Sequence, residues 1–349
     1  FSYELPTEKI AQRPRDKGQS RLLQIECDSA ACCLKDRAFS ELATLLKPGD
    51  LIVLNNTKVL PARFFARSQP QDESKELEET ETWEALVRPL KKLKEGMRIS
   101  LSLSLSAKML GRTEDGTRAR LQIEKSNKEA SFTELFQREG TMPIPPYIRS
   151  GQADEADKLR YQTVYADSVG SVAAPTAGLH FTEELFSELA SAGIEHCFLT
   201  HHVGPGSFLP IRDDVDKHEM SSEFFQISED VWRRIQSQRQ RGGRIVAVGT
   251  TSVRALESAA SIPDFAPETL VSTDLFIRPG YQFSLVDVLI TNFHQPQSTH
   301  LQLVAAFAGT GVVEQAYTHA LRREYFFLSY GDSMIFLPQK SPVVKMEKP

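Results

Sequence analysis

Short apolar runs recur along the chain, each closed by a turn signal, and stretches with helical spacing lie between them. Leu51-Ile52-Val53-Leu54 follows the turn Lys47-Pro48-Gly49-Asp50 and ends at Asn55-Asn56-Thr57-Lys58. Val169 to Ala174 stops at Pro175, and Ile194 to Val203 runs into Gly204-Pro205-Gly206. Arg244-Ile245-Val246-Ala247-Val248 enters Gly249-Thr250-Thr251-Ser252, and Leu289-Ile290-Thr291 ends at Asn292-Phe293-His294-Gln295-Pro296. Short apolar runs bounded by Gly, Pro and Asn predict buried strands. Arg21-Leu22-Leu23-Gln24-Ile25 predicts another. Phe39 to Leu46 has helical spacing. Thr182 caps a predicted helix with Glu183 and Glu184 at its positive end, an apolar side of Leu185, Phe186 and Leu189, and a stop at Gly193. Ser228, Glu229 and Asp230 start a second, which ends at Arg239, Arg241 and Gly242-Gly243. Ser298 or Thr299 caps a third, running through Phe307. Strands alternating with helices predict an α/β main domain with a mixed sheet.

Between residues 64 and 140 the pattern changes. Ser100 to Ser106 alternates Ser and Leu strictly, the signature of a half-buried antiparallel strand. Ala119 to Ile123 predicts a further strand and Phe132 to Phe136 a short helix. The expected insert is a small antiparallel β-barrel over residues 61–148, returning through the proline-rich Met142 to Ile148. Residues 1–60 and 149–349 then form the main domain. Further on, Asp274-Leu275-Phe276-Ile277 and Tyr281-Gln282-Phe283 flank Arg278-Pro279-Gly280 as a predicted hairpin.

Charge is unevenly spread over the insert. Asp72 to Glu84 holds seven acids against one lysine, and Arg88, Lys91, Lys92, Lys94 and Arg98 follow against Glu95 alone. The basic run is either a solvated face or a contact for RNA phosphates, with Tyr147 available to stack on a base or to pack. Over all 349 residues the net charge is −5, which argues against wholesale electrostatic binding of nucleic acid. Apolar content of 40% and charged content of 25% are those of a globular protein. No apolar run approaches the ~20 residues of a membrane span, and no signal-peptide pattern opens the chain. The chain opens at Phe1, so a few leading residues are expected before it. Cys27, Cys32, Cys33 and Cys197 have no zinc or iron–sulfur spacing, so reduced thiols in a cytoplasmic protein are expected.

Candidate chemistry collects at the predicted strand ends: Asn55, Thr176 with Gly178 and His180, His201 and His202, Thr250 with Thr251 and Arg254, and Asn292 with His294. In an α/β sheet, strand ends are where ligands bind. Spacing alone leaves these histidines either ordinary core and loop residues or members of a multi-loop site. The Gly249-Thr250-Thr251 turn into a helix suits an anion, but it is not a Walker A loop. No metal motif, dinucleotide loop or nucleophile elbow is present, so acid–base work would fall to imidazole.

Several longer blocks carry more information than any spacing. VAAPTAGLHFT, HHVGPGSF, AVGTTSVRALES and TNFHQPQST, with LNNTKVLPARF, MPIPPYI, RYQTVYA and FFLSYGDSM, resemble the S-adenosylmethionine:tRNA ribosyltransferase-isomerase family of queuosine synthesis. The resemblance runs from Phe1 to about Leu337. It implies that the ribosyl part of S-adenosylmethionine is transferred and isomerised onto preQ1, a 7-aminomethyl-7-deazaguanine, at the tRNA wobble position. The products would be epoxyqueuosine-tRNA, adenine and methionine. S-adenosylmethionine is then a consumed substrate, no cofactor is needed, and the partner is the anticodon stem-loop, without membrane or obligate protein partner. The reaction calls for one imidazole as base and one as acid, for which His180 and His294 are the expected pair and His202 the reserve. Thr250, Thr251 and Arg254 would hold a carboxylate or phosphate, Asn55 and Asn292 would read a base edge, and Thr176 and Gly178 would complete the substrate site. Arg88, Lys91, Lys92 and Tyr147 would meet RNA. Two other classes stay open: an S-adenosylmethionine-dependent enzyme acting on a free nucleobase or nucleoside, and a non-catalytic RNA-binding protein. The chain departs from the family pattern at three places. Ser221 replaces a histidine in His218-Glu219-Met220-Ser221-Ser222-Glu223, the acidic stretch replaces a Gly-Gly strand before Trp83, and His300 stands where an aliphatic residue is usual.

Overall fold

A computed structural model describes residues 2–27, 32–68, 80–126, 129–204, 211, 215, 218 and 220–338. Most of the acidic stretch (72–79), most of the second glycine turn (205–210) and Glu219 lie outside the described residues. The chain divides into two compact units. One comprises Phe1–Val59, Ile144–Gln152 and Leu159–Pro349, the other Leu60–Pro143 and Ala153–Lys158.

The larger unit is built on a nine-stranded mixed sheet. In chain order its strands are β1 (Arg21–Cys27), β2 (Cys32–Ala38), β3 (Leu51–Asn55), β4 (Glu195–His202), β5 (Glu223–Gln226), β6 (Ile245–Val248), β7 (Val271–Thr273), β8 (Val288–Asn292) and β9 (Ser333–Pro338). Their order across the sheet is β7-β5-β4-β3-β6-β8-β9-β1-β2. The central four, β4-β3-β6-β8, all run parallel. Antiparallel β5 and β9 flank them.

The apolar runs of β3, β6 and β8 serve both faces of this sheet, which is why they read as continuous rather than alternating. Ile52, Leu54, Val246, Val248, Val288 and Ile290 pack on one side with Phe39, Leu42, Leu185 and Leu189. Leu51, Val53, Ile245, Ala247 and Leu289 pack on the other with Ile235, Val253, Leu256, Leu301 and Val304. Helices therefore cover both faces. The caps work as their residue types require: Thr182 accepts from the Leu185 amide, Ser228 from Val231 and Ser298 from Leu301. Ser298, not Thr299, is the cap of the third helix.

Three expectations are corrected here. The predicted hairpin around Arg278-Pro279-Gly280 keeps its turn but has no flanking strands. Just beyond it, the amides of Ser284, Leu285 and Val286 donate to the buried Glu257 carboxylate, which satisfies that backbone without a ladder. Ser100 to Ser106 is likewise not one strand. It is a corner between Arg98–Ser100 and Leu105–Arg112, where the Leu101 and Ser102 amides both donate to the Leu105 carbonyl and Leu103 is fully exposed. Serine hydroxyls drive the corner: Ser102 donates to Glu139, which also takes the Ser104 amide. Finally, Cys32 is disulfide-bonded, not a reduced thiol, and stands opposite Cys27 in the β1–β2 ladder; Cys33 and Cys197 are free.

The smaller unit is a five-stranded antiparallel sheet in the order Arg67–Ser68, Arg98–Ser100, Leu105–Arg112, Ala119–Lys125, Thr80–Ala85. Leu105, Ala107, Met109, Leu121 and Ile123 bury one face with the helix Phe132–Glu139. Arg88, Lys91 and Lys92 are exposed on this unit.

Candidate active site

The carboxyl ends of β4, β6 and β8, with the segment Ala173–Ala177, converge on a cleft in the larger unit. Tyr147, Pro175, Thr176, Gly249, Thr250, Thr251, Asn292, His294, His300 and Ser329 are among its lining residues. Gly249 makes the close strand-to-helix turn possible, since its φ of 83° is costly for a side-chain-bearing residue. The helix Gly249–Ser261 then begins at the cleft without a side-chain cap, leaving its positive end available to a ligand anion.

Asn292 closes the end of β8. Its Oδ1 accepts from the Thr176 hydroxyl at 3.0 Å, and its amide nitrogen lies 3.3 Å from both His180 Nε2 and the Leu328 carbonyl. His180 does not line the cleft. It sits behind Asn292 against Phe39, and burial pushes its imidazole down to about 4 against the opposing pull of Asp332. A neutral ring whose Nε2 accepts from Asn292 orients that amide; it does not reach into the cleft.

His294 does line the cleft. Its Nε2 is 2.9 Å from the Thr291 hydroxyl, and its ring stacks on His300 with centroids 5.3 Å apart. The backbone of His294 is clamped from both sides. Its amide donates to the Tyr317 hydroxyl at 2.9 Å, and its carbonyl accepts from Tyr3. Burial, then the neighbouring His300, holds the His294 imidazole well below its ordinary value. His300 is pushed to about 4, chiefly by burial, with Glu223 opposing and Arg254 assisting. Both rings are neutral at neutral pH, and a neutral imidazole can accept a proton.

Other predicted site residues are spent within the protein. Asn55 donates to the His201 carbonyl and to Thr251 Oγ1, and its oxygen accepts from the amides of Thr57 and His201. This clamps the ends of β3 and β4 together and leaves no amide valence for a ligand. Arg254 is 6% exposed and donates to Glu223, to the Leu275 carbonyl and to Thr273. Glu223 also faces His201 Nε2 at 3.0 Å, while His201 Nδ1 faces the Thr251 carbonyl at 2.9 Å. Arg254 thus reaches the cleft only through Glu223, His201 and Thr251. Gly178 is packed so closely on Tyr165 that a Cβ would stand 1.9 Å from the phenol oxygen. His202 stands outside the cleft lining, with Nδ1 2.8 Å from Thr57 Oγ1.

The structure accordingly brings Thr176, Thr250, Thr251, Asn292, His294 and Tyr147 together, and sets His180, His202, Asn55, Gly178 and Arg254 behind or beside them. Arg88, Lys91 and Lys92 belong to the other unit. Sequence reasoning missed Ser329 and Glu223 as site components, and gave His300 no role. Ser329 lies within the FFLSYGDSM block, and Glu223 ends the motif that contains Ser221. Among the described residues no cluster of three or more His, Cys, Asp and Glu side chains is arranged for a metal ion, and no helix is long and apolar enough to cross a membrane.

A family model described as "Queuosine biosynthesis protein" matches residues 1–336. A relative from Thermotoga petrophila named S-adenosylmethionine:tRNA ribosyltransferase-isomerase is 45% identical over 343 residues, covering 97% of this chain and 98% of that one. A protein of the same name from Cupriavidus pinatubonensis is 45% identical over 351 residues, covering 97% and 98%. The solved structure of an S-adenosylmethionine tRNA ribosyltransferase from Thermotoga maritima matches with a TM-score of 0.55 and 37% identity, over 97% of this chain and 99% of that one. A family match over residues 1–336, with 45% identity to relatives over 97% of the chain, makes this chain a member of the queuosine biosynthesis protein family.

Proposed function

We propose that this protein transfers and isomerises the ribosyl moiety of S-adenosylmethionine onto preQ1 at the wobble position of a tRNA anticodon stem-loop. The products are epoxyqueuosine-tRNA, adenine and methionine, and the reaction needs no cofactor. The observation that carries this reading is the cleft at the ends of the central parallel strands, where a neutral imidazole, a free helix N-terminus and a set of hydroxyls converge. The names of the relatives supply the donor and the acceptor class.

The sulfonium acidifies the adjoining sugar C–H, and His294 takes that proton. The electron pair left on that carbon forms a new bond within the sugar as it isomerises, the bond from sugar to adenine breaks, and the His294 imidazolium returns its proton to the departing adenine. The neutral amine of preQ1 bonds to the sugar and gives up a proton to water, and the carbon–sulfur bond breaks, its pair leaving with methionine. Thr250 and Thr251, at the positive end of their helix, hold the methionine carboxylate. Asn292, set by Thr176 and His180, fixes the substrate's orientation. Arg88, Lys91 and Lys92 meet RNA phosphates, and the five-stranded unit serves as the small inserted β-barrel of the family resemblance. The cytoplasm, where tRNA and S-adenosylmethionine are both found, is its place of work.

The purified protein, S-adenosylmethionine and a preQ1-bearing stem-loop RNA provide the test. Adenine release with a matching gain of a ribosyl-derived unit on the RNA is expected. Adenine release with free preQ1 nucleoside alone would move the acceptor to a free base or nucleoside. RNA binding with no adenine released, while a family member turns over in the same assay, would overturn the enzymatic reading.

A further inference from the structure

His201 is wholly buried at the end of β4, and both of its ring nitrogens face acceptors. Nε2 lies 3.0 Å from Glu223 Oε2, and Nδ1 lies 2.9 Å from the Thr251 carbonyl oxygen. A carbonyl oxygen can only accept, and so can an ionised carboxylate. Arg254 donates to the same Glu223 oxygen and favours its ionised form, while the Gly204 amide donates to Oε1 at 3.0 Å. A neutral imidazole has one N–H and would turn a lone pair on one of the two acceptors. The imidazolium satisfies both. Beside it, the Phe225 ring lies 6.4 Å away, centroid to centroid. His202 and His300 stand near this cluster, and burial disfavours the charged form of each, so neither competes for the proton.

We infer that His201 is a buried imidazolium that positions the Thr250-Thr251 turn to receive the carboxylate of S-adenosylmethionine, and so sets the preference for a donor that carries one. Thr251 is held at two points. His201 fixes its carbonyl, and Asn55 Nδ2 donates to its Oγ1 at 3.3 Å, which leaves the hydroxyl hydrogen to point elsewhere. Thr250 lines the cleft while only 6% exposed, and its hydroxyl makes no hydrogen bond among the described residues. A nearly buried hydroxyl left open on a cleft wall calls for a partner from the ligand. Arg254, Glu223 and His201 set one negative charge between two positive ones. The cluster therefore leaves net positive charge behind the turn, and this adds to the positive end of the helix Gly249–Ser261. An anion is favoured there over a neutral group. His201 is a positioning residue, since it acts through Thr251.

This inference rests on the proposed ribosyl transfer, which adenine release by the wild-type protein tests by itself. The preference is read separately, by competition between S-adenosylmethionine and its decarboxylated form, which keeps the sulfonium and lacks the carboxylate. His201→Gln keeps a donor for Glu223 and loses the one to Thr251, whereas His201→Asn keeps the donor to Thr251 and loses the other. His201→Gln is expected to reduce the preference about tenfold, mainly through KM for S-adenosylmethionine. His201→Asn is expected to reduce it about threefold, because the bond to Thr251 remains and the charge is gone. Thr251→Val removes the hydroxyl without entering the buried cluster, and should also reduce the preference about tenfold. Equal losses in His201→Gln and His201→Asn, or a weakening that both compounds share in every variant, would overturn the positioning role. Nitrogen-15 spectra of the histidine-labelled wild type need no variant to fold. At neutral pH they should show two proton-bearing nitrogens in the ring that contacts Phe225, and a single one would overturn the imidazolium.

Discussion

The imidazoles of His294 and His300 lie ring on ring, 17° from parallel, on the wall of the cleft. The resemblance leads one to expect an aliphatic side chain at 300, so this chain has placed a second titratable ring against its best candidate base. His300 lowers the His294 value, after burial has lowered it first. His300→Leu restores an aliphatic contact of similar size and removes that field. The His294 value should rise, so the acidic limb of the kcat/KM profile should move to higher pH while the protein stays folded. An unmoved acidic limb would mean that His294 does not carry the proton the profile reports.

Arg254 offers a sharper choice between ligand binding and structure. It is buried and shares Glu223 with His201. Glu223→Gln leaves the guanidinium in a dry site without its carboxylate, and should cost about 3 kcal/mol of stability. Arg254→Met should likewise lower the urea midpoint. A residue that held a substrate anion would instead raise KM and leave stability nearly untouched. Urea unfolding and KM measured on both variants distinguish the two outcomes.

Much of the larger unit is legible from residue order because its signals are local. Wholly buried β3, β6 and β8, apolar up to their polar ends, stand between turn residues, and Thr182, Ser228 and Ser298 cap helices that begin where those side chains demand. One failure has a clear cause, a long-range acceptor that outcompetes a local pattern: Glu139 captures Ser102 and the Ser104 amide, so Ser100 to Ser106 does not form the strand its spacing predicts. The site divides in the same way. That Thr250, Thr251, Asn292 and His294 would meet follows from their place at strand ends. That His180 would stand behind Asn292, and Arg254 behind Glu223, depends on which side of the sheet each side chain enters, and no spacing conveys that.

Acid should weaken the fold through His180, His294 and His300. His180 and His300 sit near 4, and His294 also lies well below its ordinary value, each chiefly because burial disfavours the charged ring. In the unfolded chain these rings titrate near about 6.5. Between that value and about 4, the unfolded state binds protons that the folded state refuses, so stability rises with pH across the window and is lost as pH falls through it. His180→Gln still offers Asn292 an acceptor and cannot titrate. Its urea midpoint should fall less steeply with pH than that of the wild type. Parallel slopes would show that His180 is not buried in the neutral form.

The seat of His202 is the easiest part of the site to disturb from outside. His202 holds Thr57 at 2.8 Å, and Gly170 lies so close beneath the ring that a Cβ would stand 2.8 Å from Cε1 and 3.0 Å from each ring nitrogen. His202 is only half buried, so Gly170→Ala should push the ring off Thr57, with a local backbone cost because Gly170 has a φ of 156°. Thr57→Val breaks the same contact from the opposite side. If His202 serves the reaction from this position, both variants should lose turnover by about tenfold, equivalent to ~1.4 kcal/mol in the barrier. Combined, they should lose little more than either alone, because they break one contact. Near-normal turnover in both, with unchanged thermal midpoints, would remove His202 from the chemistry and leave His294 as the imidazole that handles the proton.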